Sequence, residues 1–308
     1  MNYRRALVTG GAGFIGSHIV EKLLKRGIET VVLDDLSVGK PENLPKGAEL
    51  ITGDLCDRST VQKTLSGVDV VFHQAARVSI RDSFRGFVED AHTNVLGTVN
   101  LLKCVEGSGV KKFIYASSMA AYGDARHLPI DEKHPLEPTS PYGVSKLASE
   151  KYILCFCKHL GIHPVILRYF NTYGPRQTHS PYVGVITIFI QKLLRDDNLP
   201  IFGDGEQVRD FINVDDVARA NLIAMDYRGA TQIFNVGTGI GTTINSLAQI
   251  LKEMVRKSTE VNHLPLQPGE PSSSIADVSL AKSELGFQAR WSLQEKLAEV
   301  IEWNLKKH

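Results

Sequence analysis

Short apolar stretches alternate with amphipathic stretches along the first half of the chain. The apolar stretches are rich in β-branched residues and predict buried strands at residues 4–9, 30–33, 50–52, 68–72, 112–116 and 165–168. Apolar residues spaced three and four apart predict helices over residues 14–26, 58–65, 91–106 and 144–158. Strands that alternate with helices in this way indicate an α/β fold, with a doubly wound parallel sheet covered by helices on both faces.

The pattern changes after residue 170. Residues 171–184 are rich in Pro, Gly and Ser and predict an ordered loop, while residues 264–274 are proline-rich and predict irregular structure. Further helices are predicted over residues 185–195, 214–226, 244–257 and 291–307, with a short strand and turn over 198–205 and a strand over 233–236. We therefore expect a sheet domain of residues 1–170 with a return segment at about 207–237. A smaller C-terminal α/β lobe would comprise residues 171–206 and 238–308.

Composition excludes several classes of function. The chain has 308 residues, of which 43% are hydrophobic and 22% charged, and its net charge is +1, so no field argues for binding nucleic acid or an anionic membrane. No apolar run reaches the ~18 residues that a membrane-spanning helix needs. The four cysteines show neither metal-ligand spacing nor a disulfide pattern. We therefore expect no metal site. The first residues lead directly into a strand, so we expect no signal peptide and a cytoplasmic protein.

Three glycines, Gly10, Gly13 and Gly16, stand between the first predicted strand and the first predicted helix. Glycine permits a tight turn and lets the backbone approach a pyrophosphate, whose charge the N-terminus of the next helix stabilises. In this strand–turn–helix context the spacing predicts a dinucleotide site. The alternative is a turn that only connects the strand to the helix.

Residues at the ends of the next three strands extend this prediction. Asp34 and Asp35 lie about 20 residues after the glycines, where a carboxylate can bind the ribose hydroxyls of adenosine and repels a 2′-phosphate, which favours NAD over NADP. Asp54 and Leu55 follow the third strand and are expected near the adenine, with a helix N-cap as an alternative or additional role of Asp54. The small residues 75–76 let the backbone pass close to a cofactor.

A tyrosine and a lysine provide the candidate reactive centre. Tyr142 and Lys146 lie four residues apart and therefore share one face of the predicted helix. An ammonium beside a phenol is expected to lower the phenol pKa from its usual value of about 10, which makes the phenol a usable proton acceptor. Ser117 and Ser118 follow the fifth strand, at the sheet edge where ligands bind, and Ser118 could hydrogen-bond both the phenol and a substrate hydroxyl. The alternative is that Tyr142 and Lys146 are ordinary side chains on a helix surface, with no role in a reaction.

Together these motifs resemble the extended short-chain dehydrogenase/reductase family, in particular its NAD-dependent nucleotide-sugar epimerases and, among them, the UDP-hexose 4-epimerases. The resemblance covers nearly the whole chain. The segments that carry it are residues 9–18, 53–55, 73–76, 94–98, 116–123, 141–146, 168–175, 203–216 and 267–277. It implies a Rossmann-type NAD-binding domain and a substrate-binding lobe.

The resemblance also implies a mechanism and a set of NAD contacts at the carboxyl edge of the sheet. Tyr142, helped by Ser118 and Lys146, would remove the proton of the sugar C4 hydroxyl while the C4 hydride moves to the nicotinamide. The 4-keto sugar would then turn and receive the hydride on its other face. The implied NAD contacts are Gly10, Gly13, Phe14, Ile15, Gly16, Asp34, Asp35, Ser37, Gly39, Asp54, Leu55, Gln74, Ala75, Ala76, Asn94, Ser117, Tyr142, Lys146 and Tyr169.

Substrate contacts are likewise implied by the resemblance. They are Ser118, Asn171, Phe202, Arg209, Gln267, Glu270 and Ser274. Asn171 and Arg209 would contact the diphosphate, whose oxygens suit a guanidinium, although Arg209 could instead pair with an acidic neighbour at 210 or 216. Ser274 stands where some family members carry a large tyrosine, so we expect room for N-acetylhexosamines. The alternative is that Ser274 faces solvent.

Two rival functions stay open at this point. One is another nucleotide-sugar reaction on the same scaffold: epimerisation of a GDP- or dTDP-sugar, dehydration or reduction. Residues 119–121 are Met-Ala-Ala, where the dehydratases of the family carry an acid, so elimination is disfavoured. The other is a non-catalytic NAD-binding protein, which the presence of the tyrosine, the lysine and the serine disfavours. The helices at 91–106 and 144–158 resemble those that pair in family homodimers, unless they are buried within one monomer.

Overall fold

The computed structural model describes residues 3–177, 184–266 and 271–306, and within these residues the strands form one large and two small sheets. The strands are β1 (Arg5–Thr9), β2 (Glu29–Asp34), β3 (Glu49–Thr52), β4 (Val70–His73), β5 (Lys112–Ser118), β6 (His163–Tyr169), β7 (Asn171–Tyr173), β8 (Leu199–Phe202), β9 (Val208–Asn213), β10 (Ile233–Val236), β11 (Gly241–Thr243), β12 (Val261–Leu264) and β13 (Ser273–Ser274). The large sheet is parallel throughout, in the order β10-β6-β5-β4-β1-β2-β3. The predicted doubly wound parallel sheet is confirmed.

Amphipathic helices cover both faces of the large sheet. The helices are α1 (Phe14–Lys25), α2 (Arg58–Thr64), α3 (Ile80–Ser83), α4 (Phe87–Ala91), α5 (Gly97–Val105), α6 (Pro141–Leu160), α7 (Val185–Leu194), α8 (Val214–Asp226), α9 (Ile244–Val255) and α10 (Leu293–Leu305). Apolar residues of α1 and α8 bury one face of the sheet, and those of α2, α5 and α6 bury the other. In the described part of the chain, no helix is both long and apolar enough to cross a membrane.

The strand order places a crevice at the centre of the sheet. β1 pairs with β2 on one side and with β4 on the other, so the chain leaves the carboxyl ends of β1 and β4 towards opposite faces. Ligands of open α/β sheets bind outside the carboxyl ends of the strands at such a switch point. The glycine turn after β1 and the small residues after β4 both lie there.

The second half of the chain builds a smaller body around β9. This strand pairs with β7 and β13 in parallel and with β11 in antiparallel orientation, while β8 pairs with β12. A separate apolar core lies among α7, α9 and α10. Between these elements α8 returns to pack on α1, and β10 extends the large sheet beside β6.

Several local expectations are corrected by the structure. Residues 171–173 were expected to belong to a loop and form β7, and residues 273–274 were expected to be irregular and form β13. The helix expected over 91–106 is divided into α4, a π-helical turn at His92–Leu96 and α5. The short strands escape prediction because their pairing with β9 is non-local and their own sequences carry no periodicity.

Candidate active site

The turn after β1 has no room for side chains. Gly10 has a φ of +66°, and a Cβ on it would lie 2.7 Å from the Ala75 Cα, so it meets both requirements that only glycine satisfies. A Cβ on Gly16 would collide with the Gly10 carbonyl oxygen. Gly13 is the N-cap of α1, and the half-buried Phe14 and Ile15 begin the first turn. The turn therefore leaves a bare backbone cradle before a helix N-terminus, which fits a pyrophosphate.

Asp34 closes the far side of this cradle. Its carboxylate accepts hydrogen bonds from the backbone N–H groups of Ala12 (2.9 Å) and Leu36 (2.9 Å). Burial raises the pKa of Asp34, and these two hydrogen bonds oppose the rise. Gly39 approaches so closely that a Cβ would lie 2.6 Å from the Asp34 Oδ1. The carboxylate thus lies at the carboxyl end of β2, as expected for a group that binds ribose hydroxyls.

Asp35 shapes the loop that follows Asp34. Its Oδ1 accepts hydrogen bonds from the Ser37 N–H (2.9 Å) and the Ser37 Oγ (2.6 Å). The residue between them, Leu36, has a φ of +61°, a conformation that costs a non-glycine residue free energy. Asp35 and Ser37 are thus part of one hydrogen-bonded turn at the rim of the cradle.

Asp54 and Leu55 lie after β3 with different surroundings. The Asp54 carboxylate accepts a hydrogen bond from the Cys56 N–H (2.7 Å) and belongs to a turn. The N-cap of α2 is Asp57, which accepts from the Ser59 N–H (3.0 Å), so the alternative N-cap role of Asp54 is wrong. Leu55 is buried in the core beneath the large sheet.

The loop after β4 is held by two side-chain networks. Gln74 accepts a hydrogen bond from the Tyr169 hydroxyl (3.2 Å), and Asn221 donates to that same hydroxyl (2.7 Å). Asn94 accepts from the Arg77 N–H (2.8 Å) and donates to the Arg77 carbonyl (3.0 Å). Asn94 therefore fixes the main chain just beyond Ala75 and Ala76, and these two residues stay open to the crevice side of the loop.

Tyr142, Lys146 and Glu150 form a buried stripe along α6, at the carboxyl end of β5. Each is four residues from the next, so all three face the sheet. The Lys146 Nζ donates a hydrogen bond to the Ala116 carbonyl (2.8 Å) and lies 5.9 Å from the centre of the Tyr142 ring. The predicted proximity of the phenol and the ammonium is therefore present.

The effect of that proximity on the tyrosine differs from the expectation. Burial raises the pKa of Tyr142 to about 12, and a hydrogen bond from Ser118 opposes the rise. Burial lowers the pKa of Lys146 to about 8, against the raising effect of the nearby carboxylates of Asp90 and Glu150. The prediction that Lys146 lowers the Tyr142 pKa below its usual value is wrong here, because withdrawal of the phenol from water dominates the pKa of Tyr142.

The two serines at the end of β5 face different groups. Ser118 caps the short turn Met119–Ala121 by accepting from the Ala120 N–H (3.2 Å), and its hydroxyl lowers the pKa of the Tyr142 phenol. The Ser117 hydroxyl instead donates to the Glu150 carboxylate in the core. A contact between Ser117 and a cofactor would therefore involve its main chain and not its hydroxyl.

Three of the expected substrate contacts meet around β9. Ser274 pairs with Arg209 across the β13–β9 ladder, and its hydroxyl donates to the Asn171 Oδ1 at 3.4 Å. Ser274 is fully buried, so the alternative that it faces solvent is wrong. The Arg209 guanidinium donates to the Val208 carbonyl (2.9 Å).

The alternative ion pairs for Arg209 are not what the structure shows. Asp210 accepts hydrogen bonds from Thr238 and from neighbouring backbone N–H groups, and Asp216 pairs with Arg219 (2.8 Å). Both carboxylates are thus engaged with partners other than Arg209.

Phe202 lies at the other end of the small body. The guanidinium of Arg81, on α3, stacks on the Phe202 ring, with its central carbon 4.3 Å from the ring centre. One face of this ring therefore binds a planar cation. Gln267 and Glu270 lie outside the described residues.

Glu150 is the main site residue that the sequence did not predict. It accepts from Arg168 through both carboxylate oxygens (2.6 and 2.9 Å), and this pair is fully buried. Through Ser117 it also anchors the end of β5 beside Ser118. Its position, four residues after Lys146, continues the spacing of the reactive pair and is the signal that could have found it.

Comparison with known proteins identifies relatives that span the chain. A model of the NAD dependent epimerase/dehydratase family matches residues 6–237. A UDP-glucose 4-epimerase from Thermotoga maritima, solved with UDP-glucose, is 42% identical with a TM-score of 0.95 and covers 98% of this chain and 99% of its own.

Two further solved structures extend these similarities. A UDP-N-acetylglucosamine 4-epimerase from Methanobrevibacter ruminantium, in complex with UDP-N-acetylmuramic acid, is 35% identical with a TM-score of 0.95, and each chain is fully covered. A UDP-glucose 4-epimerase from Thermus thermophilus, solved with NAD, is 38% identical with a TM-score of 0.90 and covers 97% of this chain and 98% of its own.

The glycine cradle generates a prediction for cofactor affinity. Gly16→Ala places a methyl group against the Gly10 carbonyl and must open the turn, so we expect the Kd for NAD, measured by calorimetry, to rise about tenfold or more, equivalent to about 1.4 kcal/mol. Gly27→Ala at the other end of α1 is the control, because Gly27 has a φ of +71° but no atom within 4 Å of an added Cβ. It should lower stability and leave the Kd unchanged. Equal Kd values for Gly16→Ala and the wild type would contradict this account.

Proposed function

The chain belongs to the NAD dependent epimerase/dehydratase family, and we propose that it interconverts UDP-hexoses that differ in configuration at C4, using resident NAD. The observation that carries the proposal is the buried pair of Tyr142 and Lys146 beneath the end of β5, where Ser118 lowers the pKa of the phenol. This arrangement lies at the edge of the sheet where the glycine cradle opens. The complexes of similar enzymes with UDP-glucose and with NAD support it.

Tyr142 is the group to which we assign the proton of the C4 hydroxyl. In the oxidation half-reaction its phenolate oxygen takes that proton as the C4–H bond breaks, and in the reverse half-reaction the phenol returns the proton to the new C4 alkoxide. Ser118 stabilises the phenolate by its hydrogen bond. NAD, when bound, supplies the acceptor and then the donor of the C4 hydride. Lys146 would hold the ribose of the cofactor.

The cofactor assignment rests on the carboxyl edge of the large sheet. We assign pyrophosphate binding to the turn of Gly10, Gly13 and Gly16, and the adenosine ribose to Asp34. The remaining predicted contacts follow the cofactor along the ends of β2, β3 and β4. The division into an NAD-binding part (1–170 with a return at about 207–237) and a substrate-binding part is proposed on the same grounds.

The substrate assignment rests on the strands around β9. Arg209 and Asn171 are proposed to bind the diphosphate, since a guanidinium donates two parallel hydrogen bonds to phosphate oxygens. The Phe202 ring is proposed to stack on the nucleobase. Tight binding of the nucleotide with few sugar contacts would let the 4-keto sugar turn over between the two hydride transfers.

An apolar surface on α4–α6 supports the proposal of a homodimer. The exposed apolar side chains of this surface are Phe87 and Val88 on α4, Leu96 in the π-helical turn that follows, and Val144 and Tyr152 on α6. Exposed apolar side chains that cluster on one surface are typical of a protein–protein contact. Two such helix pairs could pack face to face as a four-helix bundle.

Replacement of the phenol tests the assigned base. Tyr142→Phe removes the oxygen to which we assign the C4 proton, and we expect kcat for UDP-glucose to fall by about 10²–10⁴-fold with NAD still bound. Tyr152→Phe on the exposed side of α6 is the matched control and should retain wild-type kcat. Unchanged turnover by Tyr142→Phe would exclude the assignment.

The small residue at position 274 generates a prediction on the sugar. Because Ser274 is a small residue, we propose that the substrate site accommodates an N-acetyl group at the sugar C2 position, and we expect the wild type to convert UDP-N-acetylglucosamine with a kcat/KM within about tenfold of that for UDP-glucose. Product analysis by anion-exchange chromatography with both substrates measures the ratio. Complete rejection of the acetylated sugar would contradict the prediction.

A charge in the proposed dimer surface tests the assembly. Leu96→Glu places a carboxylate where two apolar faces would meet, so we expect a dimer in wild type and a monomer in the variant by sedimentation equilibrium. Leu305→Glu, at a similarly exposed leucine on α10, should stay dimeric. A monomeric wild type would rule out the proposed assembly.

A further inference from the structure

Asp90 is a buried carboxylate that the mechanism described so far does not use. It lies on α4 and is 2% exposed. One carboxylate oxygen accepts a hydrogen bond from the Asn94 Nδ2 (3.0 Å), and the other, Oδ1, is buried without a hydrogen-bond partner among the described residues. Burying half of a carboxylate without a partner costs free energy, so its retention requires a compensating interaction.

The compensating groups belong to the reactive centre. Asn94, which holds Asp90, also donates to the Ser145 Oγ (3.1 Å), and Ser145 donates to the Tyr142 carbonyl (2.9 Å). This short network connects α4 to the turn of α6 that carries the phenol and the ammonium. The charged and titratable groups that face Asp90 across it are Arg77, Tyr115, Tyr142 and Lys146.

We propose that Asp90 is a positioning residue of the reactive centre, a fixed anion behind α6 that keeps Lys146 protonated and sets the pH at which Tyr142 becomes a base. This inference rests on the proposed function, because it assigns the origin of the charge balance in the same site. Asp90 needs no contact with the substrate for this role; it acts through the electrostatic field at Lys146 and Tyr142.

The direction of the effect follows from charge alone. A negative charge favours the ammonium over the neutral amine, and it disfavours the phenolate relative to the neutral phenol. Asp90 therefore raises the pKa of both Lys146 and Tyr142. Burial raises the pKa of Asp90 itself, and Ser145, Lys146 and Arg77 oppose that rise. Removal of the charge should therefore lower the pKa of both reactive groups together.

Asp90 lies beside a surface groove, and the water content of this groove determines how strongly the Asp90 charge is screened. Asp90 lines a groove of about 510 Å³ between α4 and α6, and the other lining residues include Phe87, Pro138, Val144 and Ala148. Packing of a second copy over this groove, as in the proposed dimer, would exclude water from it and weaken the screening of the Asp90 charge.

The test compares the pH dependence of kcat/KM for UDP-glucose in wild type, Asp90→Asn and Glu89→Gln. Glu89 is the neighbouring acid on the same helix, but it is exposed, so its replacement is a matched loss of charge. We expect Asp90→Asn to move both limbs of the profile to lower pH by about one unit, while Glu89→Gln keeps the wild-type profile. Asp90→Glu, which restores the charge, should move the limbs back. A lower but unshifted profile in Asp90→Asn would show a purely structural role and overturn the proposal.

A second readout separates this inference from the proposed function. The ultraviolet absorption of tyrosinate, taken as the difference between each protein and its Tyr142→Phe counterpart, reports the ionisation of Tyr142 without any substrate. We expect its midpoint to fall in Asp90→Asn by the same shift as the limbs. An unchanged midpoint would refute the inference even if the enzyme is active, and a shifted midpoint would support it even if UDP-glucose is not a substrate. If the Asp90→Asn variant does not fold, Asp90→Ser, which has a smaller uncharged side chain, gives the same test.

Discussion

The reactive centre depends on the burial of one polar stripe of α6 against the carboxyl end of β5. Tyr142, Lys146 and Glu150 share this stripe, and each is held by a different group of the strand end or its neighbours. Lys146 is fixed by the Ala116 carbonyl, and Glu150 is fixed by Arg168 and Ser117. Because each polar group has a geometrically fixed partner, α6 can approach the sheet only in one rotation about its axis. That rotation places Tyr142 at the carboxyl end of β5.

Burial of this stripe has an electrostatic cost that the surroundings offset. Loss of one partner from a buried ion pair such as Glu150–Arg168 costs about 3–5 kcal/mol, so the pair constrains the end of β5 strongly. The same dry environment raises the pKa of Tyr142 to about 12 and lowers that of Lys146 to about 8, which moves the two pKa values apart. A phenol whose pKa lies above that of the neighbouring ammonium becomes a base only when its surroundings change, for example on the arrival of a charged cofactor.

Much of the large sheet and of the cofactor cradle could be predicted from the sequence, because both depend on local patterns. Strand–helix alternation gave the parallel sheet, and Gly10, Gly13 and Gly16 mark a turn whose close contacts admit no side chain. The ion pair of Glu150 and the link from Asp90 through Asn94 to α6 could not be predicted, since Arg168 and Ser145 reach these groups only through the tertiary fold. The pKa of Tyr142 was predicted in the wrong direction because spacing along a helix reports proximity and does not report burial.

The central claim is that one carbon of a nucleotide-bound hexose is oxidised and then reduced again by the same captive hydride. The most direct measurement uses UDP-glucose that carries deuterium at C4, incubated with the NAD-loaded protein in ordinary water, with mass and proton magnetic resonance analysis of the UDP-galactose formed. The account predicts that the product keeps the deuterium at C4, because the hydride leaves and returns without exchange. Product with hydrogen from the solvent at C4 would contradict it.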